Sequence, residues 1–214
     1  MPALKLGVLV SGSGTNLQAI IDSIKTGKLN ASIEIVISSR EDAYALKRAR
    51  DNNIESVAIC PERYASKTEY EEAMIEKLRE AKVELVVLAG FIKVLSPHFV
   101  RAFAGRIINI HPSLIPAFCG KGYYGLRVHK AVLEYGVKVT GATVHFVDEG
   151  TDTGPIILQK AVEVRDDDTP EILAKRVLEV EHELLPEAIR LFAEGKLEVV
   201  GRRVLIKELR GNFG

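Results

Sequence analysis

Apolar and polar residues follow two rhythms along this chain. Short apolar runs at Leu6–Val10, Ile33–Ile37, Ser56–Ile59 and Val83–Leu88 read as strands. Between them, apolar residues recur at helical spacing. Leu17, Ile20, Ile21 and Ile24 stand at i, i+3, i+4 and i+7, and further helices are predicted from Asp42 to Asn52 and from Lys67 to Lys82. Strands that alternate with helices predict an α/β fold: a mostly parallel sheet with helices on both faces.

The rhythm changes in the second half. Arg106–Ile110 and Gly141–Val147 read as strands, with a helix over Val128–Glu134. Pro155–Val164 is a further strand, reached with too little chain for a crossover helix, so antiparallel pairing is expected there. Asp168-Thr169-Pro170 opens a long helix with a polar cap and a first-turn proline; it is predicted to run to about Glu194 and to kink at Pro186. Leu197–Ile206 reads as a hairpin. No repeat or linker divides the 214 residues, so one domain is expected over 1–214, with halves of about 1–100 and 101–200 and a short tail at 201–214.

Composition narrows the partners. Lys plus Arg and Asp plus Glu are both 29, so no net basic field exists to hold a nucleic acid. Cys60 and Cys119 match no zinc spacing, and so few cysteines suit a reducing compartment. The start of the chain lacks the form of a secretory signal, and no apolar run approaches the roughly 18 residues of a membrane span. The expectation is a soluble cytoplasmic monomer or homodimer that handles small molecules, with neither nucleic acid nor membrane as partner.

Four clusters could carry chemistry. In Ser11-Gly-Ser-Gly-Thr-Asn16, Gly12 and Gly14 let backbone N–H groups approach an anion at a helix N-terminus, while Ser13, Thr15 and Asn16 add donors. The plain alternative is a tight turn capped by Asn16. Leu17 replaces the third glycine of a dinucleotide fingerprint, which favours a single phosphate over NAD. Ser38-Ser39-Arg40 could accept an NADP 2′-phosphate and keeps a reductase as an alternative. Asn109 and His111 point to one side at the carboxyl end of a strand, where a proton carrier and an oxyanion donor would be useful; a structural histidine is the alternative. The acidic loop Asp148–Pro155 could bring a carboxylate to His111 and raise its pKa, or could be a solvated turn. Glu181 is fenced by Val177, Leu178, Leu184 and Leu185, so it needs a partner from protein or ligand.

The remaining candidates carry weaker signals. His98, His129 and His182 match no metal spacing, and no metal is expected. His145 lies mid-strand, in the core or flanking a site. Cys119 is a candidate nucleophile without a visible charged partner, in a segment that could also be a flap.

Taken in order, Ser11–Gln18, Leu88–Pro97, Asn109–Leu114 and Val144–Pro155 resemble the phosphoribosylglycinamide formyltransferases, with the likeness running from Lys5 to about Val199. The resemblance implies a Rossmann-like formyltransferase fold. It implies transfer of a formyl group from 10-formyltetrahydrofolate, as co-substrate, to the amine of glycinamide ribonucleotide in purine synthesis. By that likeness Gly12, Ser13, Gly14, Thr15 and Asn16 hold the phosphate and Glu181 the ribose hydroxyls. Asn109, His111 and Asp152 match the catalytic residues, with Asp152 keeping His111 charged. Ile92, Lys93, Val94, Leu95, Asn109 and Asp148 match the folate pocket, and Lys67 a basic residue on the folate side. Ala117–Gly125 departs from the pattern as a variant of a shorter loop. A related transfer-RNA formyltransferase or formyltetrahydrofolate deformylase is expected to need an additional domain, which this length does not accommodate.

Overall fold

The structure is a computed structural model that describes residues 2–207; the end of the expected tail, 208–214, lies outside the described residues. The first half follows the predicted alternation: β1 (Leu4–Val10), α1 (Thr15–Lys25), β2 (Ala31–Ser38), α2 (Tyr44–Asp51), β3 (Ser56–Ala58), α3 (Lys67–Glu80) and β4 (Leu85–Leu88). β1 lies between β2 and β4, and all these strands are parallel. Side chains on β1 serve two cores. Leu6, Val8 and Val10 face the layer of α1 and α2, whereas Leu9 faces α3. Burial on both faces explains why the strand reads as an unbroken apolar run.

The second half contains α4 (Pro97–Ala102), β5 (Ile107–His111), α5 (Leu126–Tyr135), β6 (Val139–Phe146), β7 (Ile156–Glu163), α6 (Pro170–Ala193), β8 (Leu197–Val200) and β9 (Arg203–Ile206). β5 extends the parallel set beside β4, β6 runs antiparallel to β5 although α5 lies between them, and β7 runs antiparallel to β6, as the short β6–β7 connection required. The sheet order is β3-β2-β1-β4-β5-β6-β7-β9-β8. The terminal hairpin does not stand apart, because β9 joins β7 and prolongs the sheet. α6 packs over the first core with α1 and α5 and stays helical through Pro186 for its 24 residues.

One helix escaped the periodicity. α4 has six residues, too few for an apolar stripe to declare itself, although Ser96 caps it and Pro97 fills its first turn. Its Phe99 and Val100 belong to the second core.

Between β1 and α1 the chain turns at Gly14, whose φ is 72°. A Cβ there would lie 2.6 Å from the Ala45 Cβ and 2.8 Å from its Cα. Both the backbone conformation and the close approach of α2 therefore demand glycine. Gly14→Ala is expected to lower stability by about 1–3 kcal/mol, read as a drop in the urea midpoint. An unchanged midpoint would show that the turn relaxes freely.

Candidate active site

A cavity of about 570 Å³ opens at the carboxyl ends of β1, β4 and β5, where open α/β sheets hold their ligands. Its walls come from the β1–α1 turn, residues 88–95, the end of β5, residues 120–126, the β6–β7 turn and α6. The predicted phosphate loop, Asn109, His111, Asp148, Asp152 and Glu181 all line it.

At the β1–α1 end, Gly14 caps α1 and no side chain satisfies the first-turn N–H groups. Those donors and the helix dipole make an anion site. Gly12 is exposed and faces open space, and Ser13 and Thr15 join the wall. Asn16 is not the cap. Its side chain is buried and its Nδ2 donates to Glu181 Oε2 at 2.6 Å. Glu181 is thus partnered within the protein, yet burial still pushes its pKa up to about 7 against the pull of Asn16.

Two further residues brace this loop, and Arg48 did not stand out in the sequence. Arg48 Nε donates to the Ser13 carbonyl at 2.9 Å. Ser11 Oγ accepts from the Ile92 N–H at 3.1 Å and shares a 2.7 Å hydrogen bond with Ser39 Oγ. The NADP reading fails at the same place. Ser38 and Ser39 are buried, and Arg40 pairs with Asp42 at 2.7 Å, so these residues form no 2′-phosphate site.

The catalytic cluster centres on Asp152, which stands at φ 57° in the β6–β7 turn. Its Oδ2 accepts from the Gly120 N–H at 2.8 Å and lies 3.6 Å from His111 Nδ1. Its Oδ1 is 3.5 Å from Asn109 Nδ2 and 3.7 Å from His145 Nε2. Burial alone would raise the Asp152 pKa. His145, His111 and the Gly120 N–H together outweigh it and leave the carboxyl below its ordinary value.

Two carbonyls set the histidine tautomers. His145 Nδ1 meets the Phe146 carbonyl at 2.7 Å and must donate, so in the neutral ring Nε2 accepts from Asn109 Nδ2 at 3.2 Å. His145 therefore belongs to the site, not to the core alone. His111 Nε2 likewise donates to the Phe118 carbonyl at 3.0 Å. Its Nδ1 then carries a lone pair towards Asp152. The expectation that Asp152 keeps His111 charged is corrected here. Asp152 does pull upward, but burial is stronger and holds the pKa below the ordinary value, so the resting imidazole is neutral.

Part of the cavity wall is apolar. Ile92 and Val94 are exposed there beside Phe91, Leu95 and Val147, and Lys93 lies 3.7 Å from Glu62. Asp148 folds its own turn by accepting from the Gly150 N–H at 3.1 Å. Lys67 does not reach this cavity. It begins α3, 3.7 Å from Glu71, beside a separate depression that it shares with Lys93 and Val94. His129 lines the cavity unannounced by any motif: it is buried, its Nδ1 has no partner, and burial with the nearby His111 pushes its pKa down to about 4. Among the described residues no cluster of three His, Cys, Asp or Glu could hold a metal ion. No described helix is long and apolar enough to cross a membrane.

Cys119 does not serve as the nucleophile. Its thiol donates to the Pro116 carbonyl at 3.3 Å, and burial together with Asp152 pushes its pKa up. The cavity thus offers a proton acceptor and amide donors at the carboxyl ends of an α/β sheet. The family model described as formyl transferase matches residues 4–189. Glycinamide ribonucleotide transformylase 1 from Symbiobacterium toebii superposes with a TM-score of 0.92 at 49% identity, covering 96% of this chain and 95% of that one. Phosphoribosylglycinamide formyltransferase of Escherichia coli (strain K12) is 40% identical over 92% of this chain and 90% of its own length. The trifunctional purine biosynthetic protein adenosine-3 of Gallus gallus is 45% identical over 92% of this chain, which spans only 19% of that protein. The chain belongs to the formyl transferase family, among its phosphoribosylglycinamide formyltransferases.

The unpaired His129 generates an acid-stability prediction. Its folded pKa, about 4, lies below the ordinary histidine value of 6.5, so the unfolded chain binds the extra proton first as pH falls. Stability present above that range is lost progressively between the two values, by on the order of 3 kcal/mol. His129→Leu is expected to flatten this decline, measured as denaturation midpoints at neutral and acid pH. Parallel losses in variant and parent would contradict it.

Proposed function

We propose that this chain transfers the formyl group of 10-formyltetrahydrofolate to the primary amine of glycinamide ribonucleotide. The products are the N-formyl ribonucleotide and tetrahydrofolate. The observation that carries this reading is that one cavity brings together three kinds of wall. An uncapped helix start at α1, apolar side chains of residues 91–95 and the Asn109–His111–Asp152 cluster all line it. The ribonucleotide places its phosphate on the α1 turn and its ribose at Glu181. The apolar slot formed with Ile92, Val94 and Leu95 fits a flat heterocycle, and the turn holding Asp148 offers backbone groups beside it. The reaction is assigned to the cytoplasm, where Cys60 and Cys119, both free, stay reduced.

The folate, when bound, supplies an activated formyl carbon and a leaving nitrogen. The residues of this chain manage charge and protons. As the neutral amine attacks, negative charge grows on the formyl oxygen, and the Asn109 amide, oriented by His145, donates to it. A donor of that kind is worth about 3 kcal/mol. The attacking nitrogen must also lose a proton. His111 rests neutral with Nδ1 available, and the imidazolium formed there is stabilised by Asp152 at 3.6 Å. The same proton can then pass to the departing folate nitrogen.

The direct test mixes the protein with glycinamide ribonucleotide and a 10-formyl folate and follows deformylated folate by absorbance. Turnover that requires the ribonucleotide is expected; folate release without it would indicate a deformylase instead. His111→Ala should lower kcat by roughly 10²–10⁴-fold while ribonucleotide binding persists; lost binding with residual turnover would contradict its role. Asp152→Asn removes the group that raises the His111 pKa, so the acid limb of the kcat/KM profile should move to lower pH. A profile that stays in place would separate the two residues.

A further inference from the structure

One N–H of the Asn16 amide is committed before any ligand arrives. Its Nδ2 reaches Glu181 Oε2 at 2.6 Å, across 165 residues of sequence. Its Oδ1 is buried without a partner, and a carbonyl oxygen has nothing to offer a phosphate. Asn16 is 6% exposed and Glu181 8%, so the contact is sealed from water. Glu181 meanwhile has no salt-bridge partner among the described residues, and Asn16 is the one group that favours its charged form. Among the described residues Glu181 Oε1 has no hydrogen-bond partner, and the residue lines the cavity.

We propose that Asn16 is a positioning residue for Glu181: its amide fixes Oε2 so that Oε1 accepts a ring hydroxyl, and the side chain reads the ribose, not the phosphate. The proposal rests on the reading of this cavity as a ribonucleotide site. The phosphate is left to the first-turn N–H groups of α1, which Gly14 leaves without a side-chain cap. The β1–α1 turn and α6 are thereby coupled. A carboxylate that rotated away from Asn16 would lose its donor and its aim together.

Calorimetric titration with inorganic phosphate and with ribose 5-phosphate separates the two roles. Wild type should prefer ribose 5-phosphate. In Asn16→Ala that preference should fall about tenfold, the loss of one hydrogen bond to a charged group, with phosphate affinity unchanged. Asn16→Ala/Glu181→Gln should prefer ribose no less than Glu181→Gln alone, because both substitutions remove the same contact. In turnover, Asn16→Ala should raise the KM for the ribonucleotide and leave kcat nearly unchanged. Asn16→Ser supplies the same comparison if the alanine variant does not fold. Equal weakening of phosphate and ribose 5-phosphate would make Asn16 a phosphate ligand and overturn the proposal, as would additive effects in the double variant. A wild-type protein with no ribose preference would overturn the proposal and the ribonucleotide reading together. Full ribose preference retained in Asn16→Ala would remove the proposal alone.

Discussion

The charge on Asp152 holds the active site together. A carboxylate this buried would ordinarily gain a proton, yet it stays ionised because neighbours from three other stretches of chain converge on it. Gly120 comes from the segment before α5, Asn109 and His111 from the end of β5, and His145 from β6. The left-handed backbone at Asp152 delivers the carboxylate, and aspartate is among the few residues that take that conformation readily. A neutral residue there would leave Gly120 unpaired and deprive the His111 proton of its counter-charge.

The two halves of the sheet supply different parts of the chemistry. The parallel half presents a helix start at the end of β1, and a helix start binds anions. The antiparallel half places Asn109 directly opposite His145 in the β5–β6 register, so an amide donor is oriented by a neighbouring ring. α6 closes the arrangement, returning over the first core to set Glu181 against the β1–α1 turn. Each contact joins residues far apart in sequence, so the cavity forms only once the whole sheet has assembled.

Much of this architecture was legible from residue patterns. Strands buried on both faces announced themselves as apolar runs, and the antiparallel pairing of β7 with β6 followed from a connection too short for a helix. The reversal of β6 against β5 did not, because that connection holds α5. The side-by-side placement of Asn109 and His111 followed from strand alternation. α4 was hidden because six residues cannot show a helical period. Lys67 stands outside the main cavity wall but in a depression shared with Lys93 and Val94, a placement that depends on where α3 starts relative to residues 90–95 and that spacing does not encode. His145 and Arg48 looked unremarkable because their value lies in partners 36 and 35 residues away.

The sequence by itself determined the order of elements, the glycine turn, the polar pair closing β5 and the acidic turn that faces it. Tertiary structure alone decided what these groups do to one another. Spacing suggested that a carboxylate would charge His111, but desolvation proved stronger and leaves the ring neutral. It also suggested that Asn16 caps a helix, whereas the folded chain turns that amide to Glu181. Proton affinity and hydrogen-bond choice depend on distances and on excluded water. Neither exists until residues far apart in the chain have been packed together.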